Sequence, residues 1–161
     1  MINLIAAVGK QGQIGLRGTL PWQDRPELDA ITELDHLWFK RLTDGGVLLI
    51  GSVTYSIMVE QGFDPNNRQI ALWNREVASH MTPGRYLSEI MAMYRGRDIW
   101  VCGGARVYET FMPFVQRHYI ASIPYDGEAD AFMPPICEAW DKADLLEHRS
   151  MDGTINYVRT E

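Results

Sequence analysis

The sequence predicts an α/β protein: one central mixed, mostly parallel sheet with helices on both faces and an antiparallel hairpin at its C-terminal edge. Three observations predict it. Short apolar runs alternate with segments of helical spacing through most of the chain, the pattern of strands joined by crossover helices. Two of those runs end on glycine, at Gly51 and at Gly103-Gly104, where parallel sheets present their carboxyl ends to ligands. The last two apolar runs, Ala143–Arg149 and Thr154–Thr160, flank Ser150–Gly153, and its Asp152-Gly153 dipeptide signals a hairpin turn.

In chain order, Ile2–Val8 reads as a buried strand and Gly9–Gln23 as a loop with glycines at 9, 12, 15 and 18. Pro26–Thr43 has helical spacing, Val47–Ile50 is a short strand, and Ser52–Gln61 suits a short helix. Strand Arg68–Trp73, helix Leu87–Arg95, strand Asp98–Cys102, helix Ala105–Phe114 and strand Arg117–Ile123 follow. No linker, repeat or low-complexity tract interrupts the series, so residues 1–161 are expected to form one domain.

Composition narrows the function. The 161 residues are 46% hydrophobic and 22% charged, which excludes disorder as a description of the whole chain. Fifteen Lys and Arg against 21 Asp and Glu give a net charge of −6, opposed to the basic patch that a nucleic-acid binder needs. No apolar run approaches the ~18 residues of a membrane span. The apolar start lacks a basic leader and ends at Gly9, so it reads as a strand and not as a signal peptide. Cys102 and Cys137 have no C-x-x-C spacing and suggest reduced thiols in the cytoplasm. His36, His80, His118 and His148 are scattered, and no metal site is expected.

The chemistry-bearing residues fall into three groups. Leu28, Ile31, Asp35, Phe39 and Leu42 follow spacings of three and four on one helical face, widened by Leu34 and Trp38. A carboxylate in that stripe is drawn out of water, which raises its pKa. It meets a cationic or hydrogen-bonding ligand, or pairs with an arginine, or sits only at the border of the stripe in a shifted helix register. Gly103-Gly104-Ala105-Arg106-Val107-Tyr108 runs from a strand into a helix, as does Gly51-Ser52-Val53-Thr54; each suits a phosphate at a helix start and equally a tight turn or helix cap. Arg75 beyond one strand and Arg68 at its beginning are placed to hold a phosphate and a carboxylate, or are surface charges. The glycine-rich loop, with Leu20-Pro21-Trp22 behind it, reads as a lid.

Together, in order and spacing, these segments resemble dihydrofolate reductase. Leu4-Ile5-Ala6-Ala7-Val8 looks like that family's first strand, and Ile14-Gly15 with Leu20-Pro21-Trp22 like its active-site loop. Asp35-His36-Leu37-Trp38-Phe39-Lys40 looks like the helix that carries its acid. The turns at Gly51 and Gly103 and the strand running from Arg68 to Asn74-Arg75 resemble its cofactor-binding segments.

The resemblance implies NADPH-dependent reduction of dihydrofolate by a cytoplasmic monomer that also binds antifolates. Asp35 would hold the pteridine's amino group and ring nitrogen and assist protonation of N5 through a water that Trp22 helps to place. Ile5, Phe39 and Met58 would sandwich the rings. Ala6 and Ala7 would border the substrate, and the carbonyls of Ile5 and Cys102 would accept pteridine hydrogen bonds. Arg68 would clasp the glutamate carboxylate. Ala7, Ile14, Gly15 and Leu20 would flank the nicotinamide, with Tyr108 against it. Gly51, Ser52, Val53 and Thr54, with Cys102, Gly103, Gly104, Ala105, Arg106 and Val107, would line the cofactor. Among these, Thr54 and the N–H groups of 104–107 would hold the pyrophosphate, and Asn74 with Arg75 the ribose 2′-phosphate. Gly103-Gly104 would be joined by a cis peptide.

The sequence also departs from the family's pattern. The segment Gln23–Glu33 reads as an insertion between Trp22 and Asp35. Ser52 stands at a position usually basic, and Ala121 where a threonine usually bonds the acid. Counting from Pro65 and Ile70 puts the carboxylate-binding arginine on Asn67, one place before Arg68. Two other readings are a pyrimidine reductase of riboflavin synthesis, a family that lacks the acid on this helix, and a non-catalytic binding module.

Overall fold

The computed structural model describes residues 1–134, 145–151 and 155–160. Among the described residues nine strands and five α-helices follow in the order β1 (Ile2–Val8), β2 (Gln13–Gly15), α1 (Asp29–Thr43), β3 (Val47–Gly51), α2 (Ser52–Glu60), β4 (Gln69–Trp73), α3 (Arg75–His80), α4 (Pro83–Met93), β5 (Ile99–Val101), α5 (Ala105–Phe111), β6 (Arg117–Ser122), β7 (Ala131–Phe132), β8 (Leu145–Met151) and β9 (Ile155–Thr160). Seven strands form one sheet in the order β4-β3-β5-β1-β6-β9-β8. The pairs from β4 to β6 are parallel, and β9 adds antiparallel to β6 and β8 to β9. This is the expected α/β architecture, with its antiparallel pair at one edge. The Asp152-Gly153 turn, Cys137 and the 140–143 segment lie outside the described residues.

Strand alternation divides the core. Leu4 and Ala6 of β1, Leu49 of β3 and Val101 of β5 face one side, where they pack with Leu87 and Ile90 of α4 and Val107 and Phe111 of α5. Ile5, Leu48 and Trp100 face the other side, which α1 covers with Phe39 and Leu42. A separate cluster holds Leu28, just before α1, and Ile31 within it: both pack with Trp22, Ala121, Ile123 and Tyr125, with Leu34 and Trp38 of the helix against them. α1 therefore feeds two clusters, and Asp35 lies between their members on the helix, one turn from Ile31 and one turn from Phe39.

Five segments differ from the sequence reading. Gly9–Gln23 is not a structureless loop, because β2 within it pairs antiparallel with β7, and Leu16 and Thr19 exchange backbone bonds of 2.9 and 3.0 Å. A three-residue strand is too short to show alternation. Helix α3 was not expected, since among its six residues only Val77 packs on the core. Helix α4 begins at Pro83, ahead of Leu87, capped by Thr82 accepting from the Arg85 N–H at 3.3 Å. The segments 26–43 and 105–114 each divide into a 3-10 turn and an α-helix. Among the described residues no helix is long and apolar enough to cross a membrane.

Candidate active site

The carboxyl ends of β4, β3, β5 and β1 lie side by side, and the chain after each carries a predicted site residue. After β3 and β5 the two turns touch. The Gly51 N–H donates to the Gly103 carbonyl at 2.9 Å, and the Cys102 N–H to Leu49 at 2.9 Å. A methyl added at Gly104 would lie 3.1 Å from Thr54 Oγ1, so the starts of α2 and α5 approach closely and even a methyl there would press on Thr54. Gly103-Gly104 is joined by a cis peptide. At the end of β4, Asn74 caps α3 by accepting from the Val77 N–H at 2.9 Å and donates from Nδ2 to Ser52 Oγ at 3.2 Å. Ser52 is thereby tied to the neighbouring turn, with Arg75 exposed beside it. Arg106 and Val53 are also exposed, whereas Val107 is buried in the core behind the turn.

Asp35 occupies the gap between the two clusters under α1. None of the described residues gives it a hydrogen bond or an ion pair, and burial raises its pKa from 3.8 to about 7. The arginine-paired alternative is therefore absent among the described residues. Ala121, opposite Ala7 in the β1–β6 ladder, is buried at 2% exposure and offers the acid no hydroxyl.

Around the acid, Ile5 and Phe39 belong to one cluster, and Trp22, Ala7 and Leu20 to the other. Met58 is half-buried on α2. Tyr108 is 6% exposed beneath Gly103, and its hydroxyl donates to the Ile5 carbonyl at 2.8 Å. One lone pair of that carbonyl is spent inside the protein and the second is left for a ligand. Burial pushes the Tyr108 hydroxyl and the Cys102 thiol up, so both are neutral, and Cys102 donates to the Trp100 carbonyl at 3.2 Å.

Two placements modify the sequence reading. Ala6 turns its side chain to the opposite face of the sheet from Ile5 and Ala7, so only its backbone can border the site. Ile14 likewise packs toward the α4–α5 core, while Gly15 lies against Ala131, where a methyl would meet Cβ at 3.1 Å.

Arg68 is not a surface charge. It is 7% exposed, and its guanidinium donates to Thr43 Oγ1 at 2.8 Å, to the Pro65 carbonyl at 3.2 Å and to the Lys40 carbonyl at 2.6 Å. Those three bonds use three of five N–H groups, and none of the described carboxylates pairs with the charge. The anchor Thr43 escaped the sequence reading because a threonine in a last helical turn carries no signal for an arginine 25 residues on. Thr43→Val keeps the shape and removes the acceptor. Leaving the buried Nε–H unpaired is expected to cost about 2 kcal/mol, a fall in Tm of roughly 4–8 °C by calorimetry.

Comparison with known proteins gives this arrangement its family. The family model described as dihydrofolate reductase matches residues 1–159. The chain is 32% identical over 139 residues to a dihydromethanopterin reductase of Methylorubrum extorquens, covering 86% of this chain and 92% of that protein. It is 26% identical over 166 residues to dihydrofolate reductase type A13 of Escherichia coli, covering 99% and 92%. Against a dihydrofolate reductase of Aedes albopictus the identity is 27% over 151 residues, covering 83% and 79%. A match across nearly the whole chain, on a sheet that sets a lone acid beside two abutting glycine turns, makes this protein a member of the dihydrofolate reductase family, oxidoreductases of the folate and pterin type.

Proposed function

We propose that the protein reduces 7,8-dihydrofolate to 5,6,7,8-tetrahydrofolate with NADPH, as a cytoplasmic monomer without a metal. The observation that carries this reading is Asp35, an acid with no partner among the described residues, set between the two apolar clusters that α1 feeds. The residues suit the cofactor: the turns at Gly51 and Gly103-Gly104 bring bare backbone together beside Thr54, and Ser52, Asn74 and Arg75 stand together at the ends of β3 and β4.

When bound, NADPH supplies the hydride for pteridine C6, which is the hard part of the reaction. The protein's own groups do the rest. Asp35 binds the pteridine amino group and ring nitrogen and favours protonation at N5. Ile5, Phe39 and Met58 hold the rings flat, the free lone pair of the Ile5 carbonyl accepts a pteridine hydrogen, and Trp22 closes the acid's side against bulk water. Arg68, held on three sides, directs its remaining N–H groups to the substrate carboxylate. Ser52 and Asn74 offer neutral contacts to the ribose phosphate, and Arg75 the charge.

Reduction of dihydromethanopterin is the second reading, favoured by the 32% identity to the Methylorubrum extorquens reductase. Following NADPH oxidation with each pterin decides between them. Turnover at least tenfold more efficient on dihydrofolate is expected, and the reverse order moves the assignment to the second substrate. At 100 times its Kd, NADPH is expected to stabilise the protein by ~2.7 kcal/mol; no shift in Tm at millimolar NADPH sinks both readings.

A further inference from the structure

The segment between Trp22 and Asp35, which the sequence reads as an insertion, builds a contact that the proposed reaction does not use. Arg25 lies over the ring of Tyr125, with Cζ 5.5 Å from the centroid, inside cation–π range. Tyr125 is 4% exposed and meets Trp22 edge-on, with centroids 5.8 Å apart at 61°. Three bonds hold the tyrosine from other directions: its hydroxyl donates to the Glu128 carbonyl at 2.6 Å, its carbonyl accepts from the Lys10 N–H at 2.8 Å, and its N–H donates to the Ile123 carbonyl at 2.8 Å. The backbone of Arg25 sits between two turns. Its N–H donates to Trp22 at 3.0 Å, and its carbonyl accepts from Leu28 at 2.9 Å, one residue before α1.

A cavity of about 290 Å³ lies here, lined by Arg25, Glu27, Leu28, Tyr125 and Asp126. Its charges are already answered, Arg25 by Glu27 at 3.6 Å and Asp126 by Gln11 at 2.6 Å, so it lacks the unpaired polar group that would mark a ligand site.

We infer that Arg25 is a positioning residue: its guanidinium clamps Tyr125, which in turn fixes Trp22 at the N-terminal approach to the helix that carries Asp35. The inference rests on the roles proposed for Trp22 and Asp35. The clamp joins three stretches of chain, the 9–22 segment, the entry to α1 and the 123–128 segment. Without it Trp22 keeps its edge-on packing against Tyr125 and the backbone bond from the Arg25 N–H to its carbonyl, which resist separation but do not stop the indole ring from sliding. Misplacement of about 1 Å costs up to ~10²-fold in rate, so a partial release is expected to lower kcat roughly tenfold.

The test pairs kinetics with a signal that does not depend on turnover. Arg25→Ala is expected to lower kcat about tenfold, with KM for the pterin within about threefold. Arg25→Lys, which keeps a cation over the ring, is expected to recover most of the loss. Glu27→Gln removes the ion pair but not the clamp and is expected to match the unmutated protein. In 15N spectra the indole N–H of Trp22, assigned by Trp22→Phe, is expected to move in Arg25→Ala and to return in Arg25→Lys. Unchanged kcat with an unmoved indole overturns the inference. So does a Lys variant as impaired as the Ala variant, or a Glu27→Gln variant as impaired as either, because the residue then acts through stability or the ion pair. If the unmutated protein turns over neither pterin, the proposed function fails, and the indole signal alone decides the clamp: moved and restored supports it, unmoved overturns it.

Discussion

Asp35→Asn is expected to lower kcat at pH 7 by ~10²–10⁴-fold, the usual loss on removing a general acid. The amide keeps the size of the side chain and one hydrogen-bonding oxygen, so the pterin still enters and KM rises far less than kcat falls. What disappears, in the proposed reaction, is the protonation of N5 favoured by the acid. In the variant that proton comes only from solvent, so the rate rises about tenfold for each unit the pH falls, and the gap to the unmutated enzyme narrows toward pH 5. The unmutated enzyme behaves differently. Its free carboxyl holds a proton to about pH 7, so kcat/KM is flat in acid and declines as pH rises through that value. Parallel pH profiles for the two proteins would remove Asp35 from the proton path.

The same substitution has a stability signature of opposite sign. Burial raises the carboxyl's pKa from 3.8 to about 7 in the folded state. Between those values the unfolded chain releases its proton while the folded chain keeps it, so folding binds the proton and stability falls as pH rises. Below pH 3.8 both states are protonated and the penalty vanishes; above pH 7 it is present in full. Each unit corresponds to ~1.4 kcal/mol, and with the partial exposure of the side chain the gain from Asp35→Asn at pH 8 is expected to be about 2 kcal/mol, with none at pH 3. Urea denaturation at the two pH values reads it directly. A variant that is less active and more stable at pH 8, and only there, identifies an acid kept in the site at a cost to the fold.

How much of this was legible in the sequence depends on the range of the interaction. Asp35 was legible because its misfit is local: four apolar neighbours at spacings of three and four define the face it spoils. The glycine turns after β3 and β5 were legible for the same reason, as each punctuates an apolar run. The anchoring of Arg68 was not, because Thr43 and the carbonyls of Lys40 and Pro65 converge on it only once β4 is laid beside β3. The strand pair β2–β7 joins segments more than a hundred residues apart, and neither is long enough to show alternation. The face taken by Ala6 was missed for a simpler reason: adjacent residues of a strand point to opposite sides, so Ile5, Ala6 and Ala7 cannot all present side chains to one ligand.

Gly103→Ala is expected to be the most damaging change of one methyl group among the described glycines near the site. Gly103 has a φ of +100°, a region that L residues rarely adopt, and alanine there costs ~1–2 kcal/mol in backbone strain. The new Cβ would lie 2.9 Å from Tyr108 Cε2, 3.0 Å from Cζ and 3.1 Å from the hydroxyl oxygen. That ring is 6% exposed and wedged against the α4–α5 core, so relief comes by backbone shift or by breaking the Tyr108 bond to the Ile5 carbonyl. Forcing a methyl into such packing costs ~1–3 kcal/mol more. The sum, about 2–5 kcal/mol, corresponds to a fall in Tm of roughly 10 °C. The damage extends past stability, since Gly103 accepts the Gly51 N–H that holds the two turns together, and Ile5 lies on the side of the sheet proposed to hold the pterin. A shift of either by about 1 Å is expected to cost kcat up to ~10²-fold. Gly96→Ala supplies the control: its φ is +79°, but nothing lies within 4 Å of the added methyl. It carries the backbone strain without the collision. If the two variants lose the same Tm and Gly103→Ala keeps full activity, the contact with Tyr108 is compliant and the turn is not set by that ring; a loss at Gly103 at least twice that at Gly96, with kcat falling only in the former, is the outcome the geometry requires.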